Sequence, residues 1–259
     1  MNFIDAGVVA REDLAPGYFI LRLGGCEALA GALPGQFVMV RGDWGRDPLL
    51  PRAISLLEAR PDGMAAILVK TVGRGTALLS RATAGARLRV LGPLGTAFPA
   101  PDAARQDLLI AGGSGVPPVY LQAARAAAAG RADRVEVFLG GRTAQDLPYA
   151  TGLERLGVSL HLTTDDGSRG QRGLVTAALE RRLDEVGGRP RLMACGPDPM
   201  LHAVARIARL RELPCLVSLE AAMACGLGAC LGCAVPARSR PFVYVCQDGP
   251  VFDAAEVYQ

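Results

Sequence analysis

The sequence predicts a multidomain chain: a small antiparallel β-barrel or sandwich, an α/β domain on a parallel sheet, and a short cysteine-rich C-terminal domain. Three observations predict it. The first hundred residues hold β-prone runs broken by Gly and Pro about every ten residues. Further on, apolar runs alternate with helix-forming stretches, which is the texture of βαβ units. From Pro214 the helices stop, and Gly, Cys and short strands take over. The three segments fall at roughly 1–99, 100–213 and 214–259.

Strands are expected in the first segment at "GYFILRL", "GQFVMVRG", "RAISLLEA", "MAAILVKTV" and "ARLRVLGPLG", with one short helix at "RGTALLSRA". The texture changes around Pro99–Ala104. The second segment then offers the strand "DLLIAGG", the helix "VYLQAARAAAAG" and the strands "RVEVFLGG" and "VSLHLTT". The helix "LVTAALERRL", the strand "RLMACG" and the helix "DPMLHAVARIARL" complete it.

Composition narrows the functional classes. Hydrophobic residues make up 50% of the 259 residues but aromatics only 5%, so the core must rest on Leu, Val, Ile and Ala. The net charge of +3 carries no block of like charges and no basic stripe interleaved with aromatics, which argues against nucleic acid. The N-terminus carries Asp5 and has no long apolar core, unlike a signal peptide. The longest uncharged stretch, Ala221 to Ala237, is too rich in Gly and Cys for a membrane span. The expectation is a soluble cytoplasmic protein, and in that reducing compartment clustered cysteines favour metal or catalytic chemistry over disulfides.

Four of the seven cysteines, Cys225, Cys230, Cys233 and Cys246, are spaced C-x4-C-x2-C-x12-C. A [2Fe–2S] cluster needs four thiolates on two irons, and a tight glycine loop can deliver three with a later strand supplying the fourth. The spacing is that recognised for plant-type ferredoxins. Zinc usually takes paired C-x2-C knuckles, of which there is only one here, and a metal-free buried group is the other alternative. The last gap is much shorter than a ferredoxin's, and about 45 residues fold poorly alone, so this segment should lean on the rest of the chain. Cys26 and Cys215 read as small buried hydrophobes.

Upstream, "LLIAGGSGVPP" places Gly112, Gly113 and Gly115 between a strand and a helix, where a pyrophosphate can approach helix N–H groups. "LMACGPDPM" leaves Cys195 and Gly196 at the carboxyl edge of a later strand, where open α/β sheets bind ligands. Either could be an ordinary strand-to-helix turn; together they favour a nicotinamide nucleotide. Within "LPRAISL", Arg52 and Ser55 form R-x-x-S on a strand, suited to a flavin's phosphate and ring edge. "LVKTVGRGTALL" puts Gly75 and Thr76 at a helix start, and "LGPLGTAF" closes the segment.

The order RxxS, GxGT, GPLGTAF, GGxGxxP, CGP resembles the ferredoxin–NADP reductase superfamily. The C-terminal cysteines followed by "DGPVF" narrow the resemblance, end to end, to electron-transfer subunits of type B (NAD-dependent) dihydroorotate dehydrogenases. This implies an FAD-binding β-barrel, an NAD-binding α/β domain and a small [2Fe–2S] domain. It implies FAD on Arg52, Ala53, Ile54 and Ser55, on the strand Val69, Lys70 and Thr71, and on Gly75 and Thr76. NAD is expected at Gly112, Gly113, Gly115, Cys195 and Gly196, and the cluster on the four cysteines. Ala53 stands where relatives often have Pro.

The implied partner is an FMN-containing, dihydroorotate-oxidising TIM-barrel subunit, in a heterotetramer of two of each, serving pyrimidine (UMP) biosynthesis. Electrons would run from FMN through the cluster and FAD to NAD⁺. The chain is then an oxidoreductase subunit needing no acid–base residue of its own, and His161 and His202 read as surface or packing residues. Small subunits of NAD(P)H–ferredoxin transhydrogenases, sulfide dehydrogenases and hydrogenase diaphorases share the motifs and keep the partner open. A non-enzymatic iron–sulfur carrier or redox sensor with a degenerate reductase body is the alternative of another class, and the intact flavin and nicotinamide motifs argue against it. Arg142, after "FLGG", could meet a 2′-phosphate or be a surface residue, leaving NADH against NADPH open.

Overall fold

A computed structural model describes residues 2–102 and 104–258. The expected outer limits at residues 1 and 259, and Ala103 in the stretch where the texture changes, lie outside the described residues.

Six strands close the first segment into an antiparallel barrel: β1 (Asn2–Ala15), β2 (Tyr18–Gly24), β3 (Phe37–Gly42), β4 (Arg52–Ala59), β5 (Ala65–Lys70) and β6 (Arg87–Leu94). Their spatial order is β1-β2-β5-β4-β3-β6, so the barrel alternative to a sandwich is the one realised. Period-2 alternation fills its interior with Phe19, Leu21, Leu23, Val38, Val40, Ile67 and Val90. The sequence missed β1, which buries only Ile4, Ala6 and Val8 and then carries Arg11, Glu12 and Asp13 outward. Backbone pairing on both sides, with β2 and with β6, holds it instead. The short helix α1 (Arg74–Leu79) follows β5.

The second segment is doubly wound. β7 (Asp107–Gly112), α2 (Val116–Ala128), β8 (Val135–Gly141), α3 (Ala150–Glu154), β9 (Ser159–Thr164), β10 (Gln171–Arg172), α4 (Val175–Glu185), β11 (Arg191–Cys195) and α5 (Asp198–Leu210) alternate along it. Leu109, Ala111 and Val137 pack towards α2. Leu108, Ile110 and Phe138 pack towards α4 and α5 on the other face. Helix α2 starts three residues before the expected stretch, with Pro117 and Pro118 in its first turn where their missing N–H groups go unmissed.

The sheet does not end with the second segment. β12 (Cys215–Ser218) pairs parallel to β11, and β15 (Val251–Asp253) adds antiparallel to β12. The full order is β10-β9-β8-β7-β11-β12-β15. The limit read at 213/214 therefore falls inside the sheet, because Val217 and Phe252 are core residues of it. The cysteine segment is a loop between two sheet strands, with its own small hairpin of β13 (Ala234–Pro236) and β14 (Phe242–Tyr244). Helix α6 (Ala254–Val257) ends the fold. Among the described residues no helix is long and apolar enough to cross a membrane.

Glu136 on β8 is a buried carboxylate with four donors. It accepts from Arg182 Nε at 2.9 Å and Nη2 at 2.8 Å, His161 Nε2 at 2.8 Å and Gln106 Nε2 at 2.6 Å. Burial pushes its carboxyl up, but the hydrogen bonds from Arg182 and His161 outweigh that and hold it below the usual carboxylate range. A lowered folded value stabilises the protein above the unfolded carboxylate pKa of about 4.3, and the gain is lost as pH falls through the folded value. Glu136→Gln should cost about 1–3 kcal/mol at neutral pH in chemical denaturation, with the difference from wild type shrinking below about pH 4.

Candidate functional site

All three segments meet at one cleft. Its walls are Phe37, Ala53, Ile54 and Ser55, then Leu68, Val69, Lys70 and Thr76, from the barrel and α1. Ser114 comes from the glycine turn and Pro117 from the first turn of α2, Ser218 from the end of β12, and Leu219, Glu220, Ala221, Met223 and Pro250 from the cysteine segment. The cavity holds about 230 Å³. That is below the roughly 300–1,000 Å³ of whole ligand pockets, so only part of a dinucleotide can lie inside.

Six of the nine residues expected for FAD line this cleft: Ala53, Ile54, Ser55, Val69, Lys70 and Thr76. Arg52 lies beside it, folded over the start of α1, where its guanidinium occupies the space a Cβ on Gly75 would fill. Its Nη1 donates to the Leu50 and Pro51 carbonyls, which fixes the fork against α1. Thr76 Oγ1 accepts from the Val72 and Gly73 amides at 2.9 and 3.1 Å and donates to the Gly73 carbonyl at 3.0 Å. Its hydroxyl is therefore spent on the turn that shapes the cleft. Thr71 is exposed, and its amide donates to the Gly17 carbonyl at 2.8 Å.

The two nicotinamide motifs share one sheet edge. β7 and β11 are parallel neighbours with Ala111 opposite Cys195, so "GGSG" and "CGP" emerge side by side at their carboxyl ends. Because β8 flanks β7 on the other side, this is the point where the strand order reverses. Gly115 comes so close to the Cys195 carbonyl that no side chain would fit between them. Gly112 packs against Pro197 and Met200, and Gly113 turns with φ +51° beside the Tyr18 hydroxyl. The Cys195 side chain is 2% exposed, and burial raises its thiol far above the ordinary range. What Cys195 and Gly196 offer the edge is backbone.

The four cysteines converge in two pairs. Cys233 and Cys246 are buried with sulfurs 3.3 Å apart, while the half-buried Cys225 and the exposed Cys230, whose thiol helps to lower that of Cys225, form the outer pair. Among the described residues no three His, Cys, Asp or Glu side chains form a site for a single ion. Two pairs are what a two-iron cluster requires, each iron taking two thiolates. Backbone N–H groups point at the sulfurs: Leu227 at Cys225 (3.3 Å), Gly228 at Cys246 (3.1 Å) and Cys246 at Cys233 (3.4 Å). Burial raises the Cys225 thiol, but the amides of Leu227, Cys230 and Ala229 and the Cys230 thiol bring it down to about 6. Burial and the neighbouring Cys233 push Cys246 up to about 12. The raised Cys246 thiol must lose its proton when a metal binds, and the amides aimed at the sulfurs are what fits this donor set to thiolate ligands on an anionic cluster.

Sequence reasoning missed two carboxylates here. Glu220 lines the cleft at its solvent-exposed side, where the surrounding protein still raises its carboxyl above the usual range. Asp146 meets Lys70 Nζ at 3.6 Å, the Tyr18 hydroxyl at 3.4 Å and Arg142 Nε at 3.4 Å. Single carboxylates carry no motif, so only the fold reveals them. Arg142 itself is 79% exposed at the end of β8. Neither histidine lines the cleft: His161 stacks on Phe138, and His202 meets Tyr258 edge-on. Cys26 and Cys215 are buried, as expected.

Gly75→Ala tests the Arg52 cradle. The added methyl must displace the guanidinium, so flavin retention should weaken by about 1.5–3 kcal/mol, the worth of a hydrogen bond to a charged group. Flavin absorbance per chain after gel filtration measures it, with far-ultraviolet circular dichroism unchanged.

Comparison with known proteins agrees with this geometry. Residues 220–258 match the iron–sulfur cluster binding domain of dihydroorotate dehydrogenase B, and residues 109–206 the oxidoreductase NAD-binding domain. The chain is 40% identical over 255 residues to the electron transfer subunit of dihydroorotate dehydrogenase B (NAD(+)) from Bacillus caldolyticus, covering 96% of each. It is 34% identical over 259 residues to the corresponding subunit of Desulforamulus reducens, covering 98% of this chain and 97% of that one. Among solved structures, an NADH-dependent reduced ferredoxin–NADP oxidoreductase superposes with a TM-score of 0.85 at 28% identity, covering 97% of this chain and 89% of that one. A cytochrome P450 reductase from Amycolatopsis gives 0.72 at 26%, covering 82% and 67%. Identity to the dihydroorotate dehydrogenase subunits exceeds that to the oxidoreductase, although the architecture is common to both. The chain belongs to the family of dihydroorotate dehydrogenase B electron transfer subunits.

Proposed function

We propose that this chain passes electrons from a catalytic partner subunit to NAD⁺, with a [2Fe–2S] cluster on Cys225, Cys230, Cys233 and Cys246 and FAD in the shared cleft. The observation that carries this is the cleft itself, whose walls come at once from the barrel, the GGSG turn and the cysteine segment. A bound flavin supplies the exchange between two-electron hydride transfer with a nicotinamide and one-electron traffic with a cluster.

The chain's own residues bind, orient and shield. Arg52, held over Gly75, presents a positive fork to a phosphate, while Ala53, Ile54 and Ser55 on β4 and Val69 and Lys70 at the end of β5 border the ring site. Phe37, Leu68 and Met223 keep water from the cleft interior. Gly112, Gly113 and Gly115, with Gly196 and the Cys195 backbone, form the edge that takes NAD. Leu227 and Gly228 direct their amides at the cluster sulfurs. None of these acts as an acid or base, so no catalytic residue is assigned.

The partner we propose is an FMN-containing, dihydroorotate-oxidising subunit, two copies of each chain forming a heterotetramer for pyrimidine biosynthesis. The name shared by the relatives supports a dihydroorotate dehydrogenase partner. Cytoplasmic residence follows from the cysteine chemistry, since a thiolate-ligated cluster suits a reducing compartment.

The purified chain should be yellow-brown and reduce an artificial acceptor with NADH; a colourless chain without that activity would sink the enzyme assignment. Affinity capture should recover the dihydroorotate-oxidising subunit, and recovery of a hydrogenase or glutamate-synthase-like subunit instead refutes the partner. Cys230→Ser should abolish the cluster's visible absorbance yet leave most FAD bound. An unchanged rate of transfer to the partner in that variant would overturn the relay role.

A further inference from the structure

The barrel and the cysteine segment are joined at one side chain. β15 is the last strand of the sheet, with β12 on one side and an open edge on the other. Such an edge leaves backbone N–H and C=O groups unpaired, and a buried one must find partners. At Val251, 9% exposed, both outward groups go to Thr96, two residues beyond β6. The Val251 amide donates to Thr96 Oγ1 at 3.1 Å, and that hydroxyl donates to the Val251 carbonyl at 3.0 Å. The Thr96 amide adds a bond to the Gly249 carbonyl at 2.6 Å. Gly95 has no side chain, which lets Pro250 and the Gly249 carbonyl close against the barrel.

The same joint borders both cofactor sites. Pro250 lines the cleft, and Cys246 lies three residues before Gly249. On the barrel side β6 pairs with β3, setting Leu94 opposite the cleft residue Phe37. We infer that the Thr96 hydroxyl is a positioning residue that holds the cysteine loop at a fixed separation from the flavin cleft. This rests on the function proposed above. Thr96 touches no cofactor site itself; it acts through β15. A hydroxyl is required, because only a group that both donates and accepts satisfies the two Val251 atoms at once.

The test uses the full chain carrying flavin and cluster. In Thr96→Val, hydrogen exchange at the Val251 amide should rise about tenfold, as when a buried donor and acceptor lose their partner. NADH turnover with ferricyanide, drawn from the flavin, should stay at the wild-type rate. The rate at which NADH bleaches the cluster absorbance should fall severalfold. Thr96→Ser should restore both exchange and bleaching, and Thr96→Ala replaces the valine variant if that one does not fold. Wild-type bleaching without the hydroxyl, or failure of serine to rescue, overturns the inference alone. A wild-type chain lacking flavin and cluster absorbance overturns the proposed function, and the role of Thr96 with it.

Discussion

The architecture depends on the pairing of β12 with β15. The segment between them is short and cannot bury a core of its own. Returning its end to the sheet solves this. Val217 and Phe252 sit opposite each other in the ladder, and both belong to the core that Ile110, Phe138 and Ala194 build under α4 and α5. The loop's inner cysteines, Cys233 and Cys246, join that same core, together with Met39 and Leu94 of the barrel. The cluster segment is thus packed into the other two, and a cleft bordered by all three is the geometric result.

Inside the cysteine loop, backbone conformation does the electrostatic work. Gly226 and Gly228 turn with φ near +70°, which aims successive amides inward at sulfur. The same crowding divides the thiols. Cys233 and Cys246 lie closed in, whereas Cys225 and Cys230 stand towards the surface, flanked by the exposed Leu227 and Leu231. Protein therefore covers one side of the cysteine group and leaves the other open, which is the asymmetry a relay between a fixed donor and an external partner needs.

Much of this was legible in the chain because the relevant signals are local. Helix α5 matches its expected span, since Pro197 and Asp198 mark its start and Leu201, Val204 and Ile207 repeat at helical spacing. The cysteine spacing and the two glycine turns were readable for the same reason. β1 was not, because its strand character comes from pairing with β2 on one side and with β6, eighty and more residues away, on the other, rather than from its own apolar pattern. The continuation of the sheet through β12 and β15 was hidden likewise, since each is only three or four residues long. Glu220 and Asp146 gain their roles solely from what the fold sets beside them.

Asp146 shows what that arrangement accomplishes. Lys70 borders the cleft from the barrel, and its ammonium lies 4.7 Å from the Tyr18 ring centre and 3.6 Å from the Asp146 carboxylate of the second domain. A little further along the same interface Tyr149 donates to Glu58 at 2.9 Å, while Arg22 holds the carboxylate's other oxygen at 3.3 Å. These ties join residues far apart in sequence around a buried apolar patch of Ile20, Leu57 and Leu68. Partly buried, hydrogen-bonded charge pairs are more directional than apolar contacts, so they fix the orientation of two domains that the patch alone would only hold together. The cleft is consequently braced on the nicotinamide side by charge pairs and on the cysteine side by the sheet, and neither wall can shift without breaking bonds that water does not reach freely.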